Sequence, residues 1–222
     1  MKTVRILRLS FLVMFAVSLV LMLHIPPWLR LQKGNVAKLE DVEFLSLQNN
    51  DLVEGKISYV LGCAAAEQNG IWSTELYSEG KKRYYVLWQP SGQMILYATN
   101  DANEQLWLEQ ITTETLKFAE SAQIYWETGD YEDLVPPVTT LQMQGVVSRL
   151  PDDVAEQFAE WRNQQNADYM GNCNTMVYIS HTGFHRYKVL SLMGIICLGG
   201  SLALGCALLF AEYRRKKQAH HT

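Results

Sequence analysis

The 222-residue chain is 48% hydrophobic and 19% charged with a net charge of −4, averages that would fit a soluble domain. They conceal a segregation: Lys2, Arg5 and Arg8 precede one apolar run, Arg214, Arg215, Lys216 and Lys217 follow another, and the stretch from Arg30 to Lys188 holds twelve basic and twenty-two acidic residues. A middle at −10 repels phosphate, which excludes nucleic acid as a partner, and four cysteines are too few for a disulfide framework.

Residues 1–8 read as a cytoplasmic N-terminus and 9–29 as a first transmembrane helix. The fifteen uncharged residues from Leu9 to Leu23 reach only about 22 Å as a helix, so it is expected to extend back through Val4, Ile6 and Leu7, with Arg5 and Arg8 snorkelling to the headgroups. The run ends in His24, Ile25, Pro26, Pro27 and Trp28, none of them small, which fits an uncleaved signal anchor better than a removed leader. The proline pair is expected to send the chain out in extended form, with Trp28 at the outer interface.

Residues 30–188 read as one extracytoplasmic α+β domain, a small antiparallel or mixed sheet with packed helices, bracketed by the two transmembrane α-helices. Alternation predicts a central strand from Val53 or Glu54 through Leu61, with an apolar tail at Cys63 to Ala66. Arg83 to Trp88 and Met94 to Ala98 form a hairpin around Pro90 and Gly92. A helix is expected from Ala102 to about Gln110 after the caps Asn100 and Asp101, then an acidic loop from Glu127 to Asp133. Thr139 to Leu150 reads as a strand in which Gly145 marks a bulge or a close backbone approach. Asp152 to Asn166 reads as a helix with Val154, Phe158 and Trp161 on one face, and Met176 to Ile179 as a short last strand.

The second transmembrane helix, 189–211, is twenty-three uncharged residues and spans roughly 34 Å; the tail 212–222 is basic. Positive flanks at Arg5, Arg8, Arg214, Arg215, Lys216 and Lys217 set both termini in the cytoplasm, giving a multi-pass protein of the cell membrane with two spans. Gly199, Ala203, Ala207 and Ala211 make one small-residue face for helix packing, and Ser201 and Gly205 lie on a neighbouring face. The nearest partner for such a face is the first span; a homo-oligomer through the second span is the alternative.

The chain lacks a P-loop and the G-x-S-x-G, G-x-G-x-x-G, H-E-x-x-H and C-x-x-C motifs. His181 and His185, with Cys173 upstream, have metal-ligand spacing, but Gly183 opposes a helix there and a membrane-interface reading is preferred. Glu127, Asp130, Glu132 and Asp133 lack the glycine and spacing of an EF-hand and read as a solvated loop. Trp72, Tyr77, Tyr84, Tyr85, Trp88 and Trp107 read as core rather than ligand surface. Cys63 and Cys173 have one disulfide open to them, with two free thiols as the alternative. No catalytic residue, metal site or cofactor is assigned.

Asn50 to Leu61, Gly129 to Leu134, and Tyr178-Ile179 resemble an uncharacterised family of two-span membrane proteins of Gram-positive bacteria. The resemblance implies location and topology and supplies no catalytic residues. The expected function is a non-enzymatic binding or envelope-assembly module whose partners are the lipid bilayer and another membrane or envelope protein. The alternative is a membrane-tethered hydrolase using scattered carboxylates such as Glu54, Glu67 or Asp101.

Overall fold

The computed structural model describes residues 2–68, 71–73, 81–128, 134–165 and 172–219. In chain order its elements are α1 (Lys2–Met22), α2 (Ile25–Gln32), β1 (Ala37–Lys38), a 3-10 turn (Phe44–Ser46), β2 (Leu52–Ile57), β3 (Val60–Gln68), β4 (Ile71–Ser73), β5 (Arg83–Trp88), β6 (Gln93–Thr99), α3 (Ala102–Thr128), β7 (Leu141–Arg149), α4 (Asp152–Gln164), β8 (Asn172–His181) and α5 (His185–Ala219). The chain is mixed α+β and divides into two units, Met1–Asn35 with Gly183–Thr222, and Val36–Thr182.

In the helical unit the chain does not leave α1 extended. After a break at Leu23 and His24 it resumes as α2, bent by 41° from the helix before it. Pro26 and Pro27 fall in the first turn of α2, where a missing N–H breaks no intrahelical bond. Within α5, His185–Ala211 is long and apolar enough to cross a membrane; Ile6–Met22 and Ile25–Gln32 meet that test only as a bent pair.

α1 and α5 run antiparallel. A β-carbon added at Gly194 would lie 3.0 Å from Leu21, one at Gly200 2.8 Å from Met14, and one at Gly205 3.2 Å from Phe11. Ser191, Ser201 and Leu208 are buried along the same seam, which therefore repeats at spacings of three and four. Gly199, Ala203 and Ala207 lie off the seam with α1 and are exposed, and Ala211 is half-buried. A strict four-residue repeat drifts about 40° around the helix at each step and so leaves a straight seam.

Among the described residues of the second unit, eight strands form one mixed sheet in the order β1-β2-β7-β8-β6-β5-β3-β4. The pairs β1/β2 and β6/β8 are parallel, the rest antiparallel. The expected single strand through Leu61 is split at Ser58 and Tyr59 into β2 and β3, which stand five places apart, and β8 rather than either of them lies at the centre. Five spacings in a flat sheet are about 24 Å. The joint from Ile57 to Val60 spans at most about 11 Å, so the sheet must curl.

The concave face holds Val53, Ile57, Val60, Tyr85, Leu87, Ile95, Tyr97, Val147 and Ile179, and Leu108 and Ile111 of α3 pack into it. The other face carries Ala64, Tyr84, Val86, Met94 and Leu96 against Val154, Phe158 and Trp161 of α4, the stripe read from the sequence. The β5–β6 hairpin forms as expected, with Trp88 opposite Met94 and Gly92 at φ 81°.

α3 runs far beyond Gln110, although the β-branched Ile111, Thr112, Thr113 and Thr115 disfavour helix. Ile111 and Thr115 are buried against the sheet, and the hydroxyls of Thr112, Thr113 and Thr115 donate to the carbonyls four residues back. Gly145 is a close approach: an added β-carbon would lie 2.5 Å from Ile179 Cγ2 and 2.8 Å from the Ser180 carbonyl oxygen.

Candidate functional site

The chemistry of the second unit concentrates where α3 meets the concave face. Asp101 accepts from the backbone N–H groups of Asn103 and Glu104 and so starts the helix. Glu104 and Glu109 follow on its sheet-facing side, and each meets a tyrosine and a basic side chain.

The Tyr97 hydroxyl donates to Glu104 Oε2 at 2.9 Å, and His181 Nδ1 lies 3.0 Å from both the Tyr97 oxygen and Glu104 Oε1. Burial works to raise the Glu104 carboxyl, but hydrogen bonds with His181, Thr99 and Tyr97 outweigh it and hold it below the usual range. The hydrogen bond to Glu104 raises His181, against the opposing effect of burial. Both shifts favour the charged pair.

The second cluster repeats the plan. The Tyr85 hydroxyl donates to Glu109 Oε1 at 2.9 Å, and Arg83 Nη1 reaches Tyr85 at 3.3 Å and Glu109 at 3.4 Å. Burial pushes both tyrosine hydroxyls well above their ordinary range, so they remain donors.

Beside Arg83 and Glu109 a cleft of about 300 Å³ opens between α3 and α4, walled by Gly62 and Cys63 of β3, Leu116 and Trp161. Gly62, at φ 150°, brings the backbone beneath the Trp161 ring. Among the described residues β4 pairs only with Ala66 to Gln68 of β3, so no strand covers the rest of that edge. Burial pushes the Cys63 thiol up to about 11, and its Sγ donates to the Ala65 carbonyl oxygen. A protonated thiol is a poor nucleophile.

Chain placement separates the candidate residues of the sequence. Cys63 and Cys173 are free thiols. Their strands have β5 and β6 between them, about 14 Å, and the two side chains pack on opposite faces, beyond the reach of a bridge. Cys173 is registered with Met94 and Ser180 with Ala98, which puts Cys173 about 13 Å along the sheet from the neighbour of His181.

Among the described residues no group of three or more His, Cys, Asp and Glu side chains comes together. Glu54 pairs with Lys38 and Asp101 caps α3, so these carboxylates do not converge; the side chain of Glu67 lies outside the described residues. So do Asp130, Glu132, Asp133, Tyr77 and the side chain of Trp72. Tyr84 and Tyr85 are core, Trp88 is half-buried and Trp107 is exposed.

Compared with protein-family models, curated protein sequences and solved structures, the chain has no match in any of the three. The clusters are therefore read from their own geometry. Arg83, Tyr97, Glu104 and Glu109 are not singled out by sequence, and Tyr85 is read there only as core; the one local signal is an arginine opening the otherwise apolar and aromatic run Arg83 to Trp88.

Proposed function

We propose that the chain is an integral membrane protein with two spans, α1–α2 and α5, that presents the acidic Val36–Thr182 unit outside the cytoplasm as a non-enzymatic binding or envelope-assembly module. The observation that carries this reading is a single row across the sheet: Ala37 is opposite Val53, Val53 opposite Gly145, and Gly145 opposite His181. The chain thus enters and leaves the unit within three strand spacings, about 14 Å, close enough to join two neighbouring spans.

The antiparallel seam of α1 and α5 also brings the two basic ends together, in keeping with both termini on the cytoplasmic side. The resemblance to two-span proteins of Gram-positive bacteria points the same way. Within the unit, the cleft beside β3 is the place for a partner segment to dock, because Leu61, Leu116 and Trp161 offer it apolar contacts beside the charged Arg83 and Glu109.

The test is labelling by a membrane-impermeant thiol reagent in intact cells, with single reporters S91C and Q218C in a background lacking Cys63 and Cys173. Labelling at position 91 alone is expected. Labelling at position 218 alone would invert the topology and end this reading.

A further inference from the structure

We infer that the pocket where the curled sheet closes on itself captures the N-terminal residue of a partner peptide, with the α-ammonium on Glu40 and an apolar side chain on the pocket floor. The pocket has a volume of about 190 Å³. Ile57 and Leu87 wall it together although β2 and β5 stand four places apart in the sheet order, so the curl creates it. The mouth of a closing sheet is a common place for a ligand. This pocket is distinct from the cleft beside β3, and the inference does not rest on the two-span reading.

The floor is apolar: Leu39, Phe44, Ile57 and Leu87 are all buried. A cavity of about 150 Å³ lined by such side chains takes a benzene ring, so this one admits the side chain of a phenylalanine or a leucine. Gln89 fixes the walls. Its Nε2 donates to the Leu39 and Val42 carbonyl oxygens, at 3.0 Å each, and so ties the β5–β6 turn to the segment after β1.

The rim carries the charge. Glu40 is exposed; its Oε1 accepts from the Lys56 backbone N–H at 2.7 Å, and its Oε2 lies over Gly55, in the space a β-carbon would take. Oε2 has no hydrogen-bond or ion-pair partner among the described residues, and a carboxylate held by one backbone donor keeps acceptor sites for an ammonium. Along β2, Ile57 is buried and Lys56 exposed, so the Lys56 ammonium stands on the other side of the strand from the floor. A free amino acid is a poorer occupant than a chain terminus, because the acidic unit repels the carboxylate that a free amino acid carries beside its ammonium.

The experiment is titration calorimetry of the full chain in mild detergent, each probe run against a detergent blank. Phenylalaninamide, which carries both the ammonium and the ring, is expected to bind saturably. Glycinamide keeps the ammonium without the ring, and N-acetylphenylalaninamide keeps the ring without the charge; each should bind about tenfold more weakly. Free phenylalanine should bind about threefold more weakly than its amide. E40Q keeps an oxygen for the Lys56 N–H but no charge, and should weaken phenylalaninamide about tenfold while leaving N-acetylphenylalaninamide unchanged. No saturable binding of phenylalaninamide up to about 20 mM, or equal affinity for it and its N-acetyl form, overturns the site. Both of these comparisons use the unaltered chain and so hold whether or not E40Q folds. Phenylalanine bound as tightly as its amide overturns the assignment to a chain terminus.

Discussion

Tyr85 and Tyr97 stand directly opposite each other on β5 and β6, and their hydroxyls reach two different glutamates of the same helix. Glu109 and Glu104 are five residues apart, roughly 7.5 Å along α3, so a pair of adjacent rings suffices to fasten two turns. Each glutamate also has a cation, Arg83 or His181, so that neither is buried as a lone charge.

Removing one hydroxyl tests this fastening. Y97F should destabilise the protein by about 1–2 kcal/mol, because His181 and Glu104 keep each other while the hydroxyl's bonds are lost. Y85F should cost as much or more, since Arg83 and Glu109 then meet only across a long 3.4 Å contact. Chemical denaturation of the full chain in mild detergent, followed by tryptophan fluorescence, measures both; an unchanged midpoint in either variant would show that the hydroxyl is not a tie.

The His181–Glu104 pair gives a pH dependence of known sign. His181 is raised from 6.5, so its contribution is complete below about 6.5 and is lost as pH rises through the higher folded value. Glu104 is lowered from 4.5, so its contribution is present above about 4.5 and disappears as pH falls through the lower folded value. The melting-temperature difference between the unaltered chain and H181Q should be widest around pH 5–6.5 and should narrow on the alkaline side. A constant difference from pH 5 to pH 9 would contradict the pairing.

Gly145 and Gly183 make a matched comparison. G145A forces a methyl against Ile179 and a backbone oxygen of β8, and should cost about 3 kcal/mol. Nothing lies within 4 Å of a β-carbon at Gly183, so G183A should stay within about 0.5 kcal/mol. Equal effects of the two substitutions on the denaturation midpoint would refute the close approach.

The two thiols of the second unit should be inert in the folded state. Burial takes Cys63 from 9.0 to about 11 and Cys173 from 9.0 to about 12. At neutral pH the Cys63 thiolate is thereby depleted about a hundredfold, and alkylation by iodoacetamide should slow by at least that factor relative to the denatured chain. Intact mass without reductant should show both thiols free. A mass two hydrogens lighter, with the bridge mapped to Cys63 and Cys173, would contradict the strand order.

Local signals carried part of this fold. Pro90 and Gly92 set the β5–β6 hairpin, and Val154, Phe158 and Trp161 set the buried stripe of α4, because in each case the determinant lies within a few residues. β2 and β3 were joined because the alternation from Val53 to Leu61 continues through the two-residue joint; only pairing with β7 and β5, far along the chain, separates them. The sequence pattern marks only four residues of β8, Met176 to Ile179, because Asn174 hides its first half. That side chain donates to the Phe44 carbonyl at 2.8 Å and accepts from the N–H groups of Met176 and Val177, which holds an irregular stretch in a central strand. The site was illegible for a related reason: Arg83, Tyr85 and Tyr97 meet glutamates of α3 through the curl of the sheet, and no spacing in the sequence encodes that meeting.

The row from Ala37 to His181 also has a mechanical side. A pull on the two ends of the Val36–Thr182 unit falls on β1 at one end and β8 at the other, and these strands are unequally secured. β8 is held along both edges in the middle of the sheet, whereas β1 has two register pairs with β2, backed by the Lys38–Glu54 ion pair. β1 is thus the less secured of the two, and a pull across the unit would strip it from β2 before loading β8 and the α3 clusters.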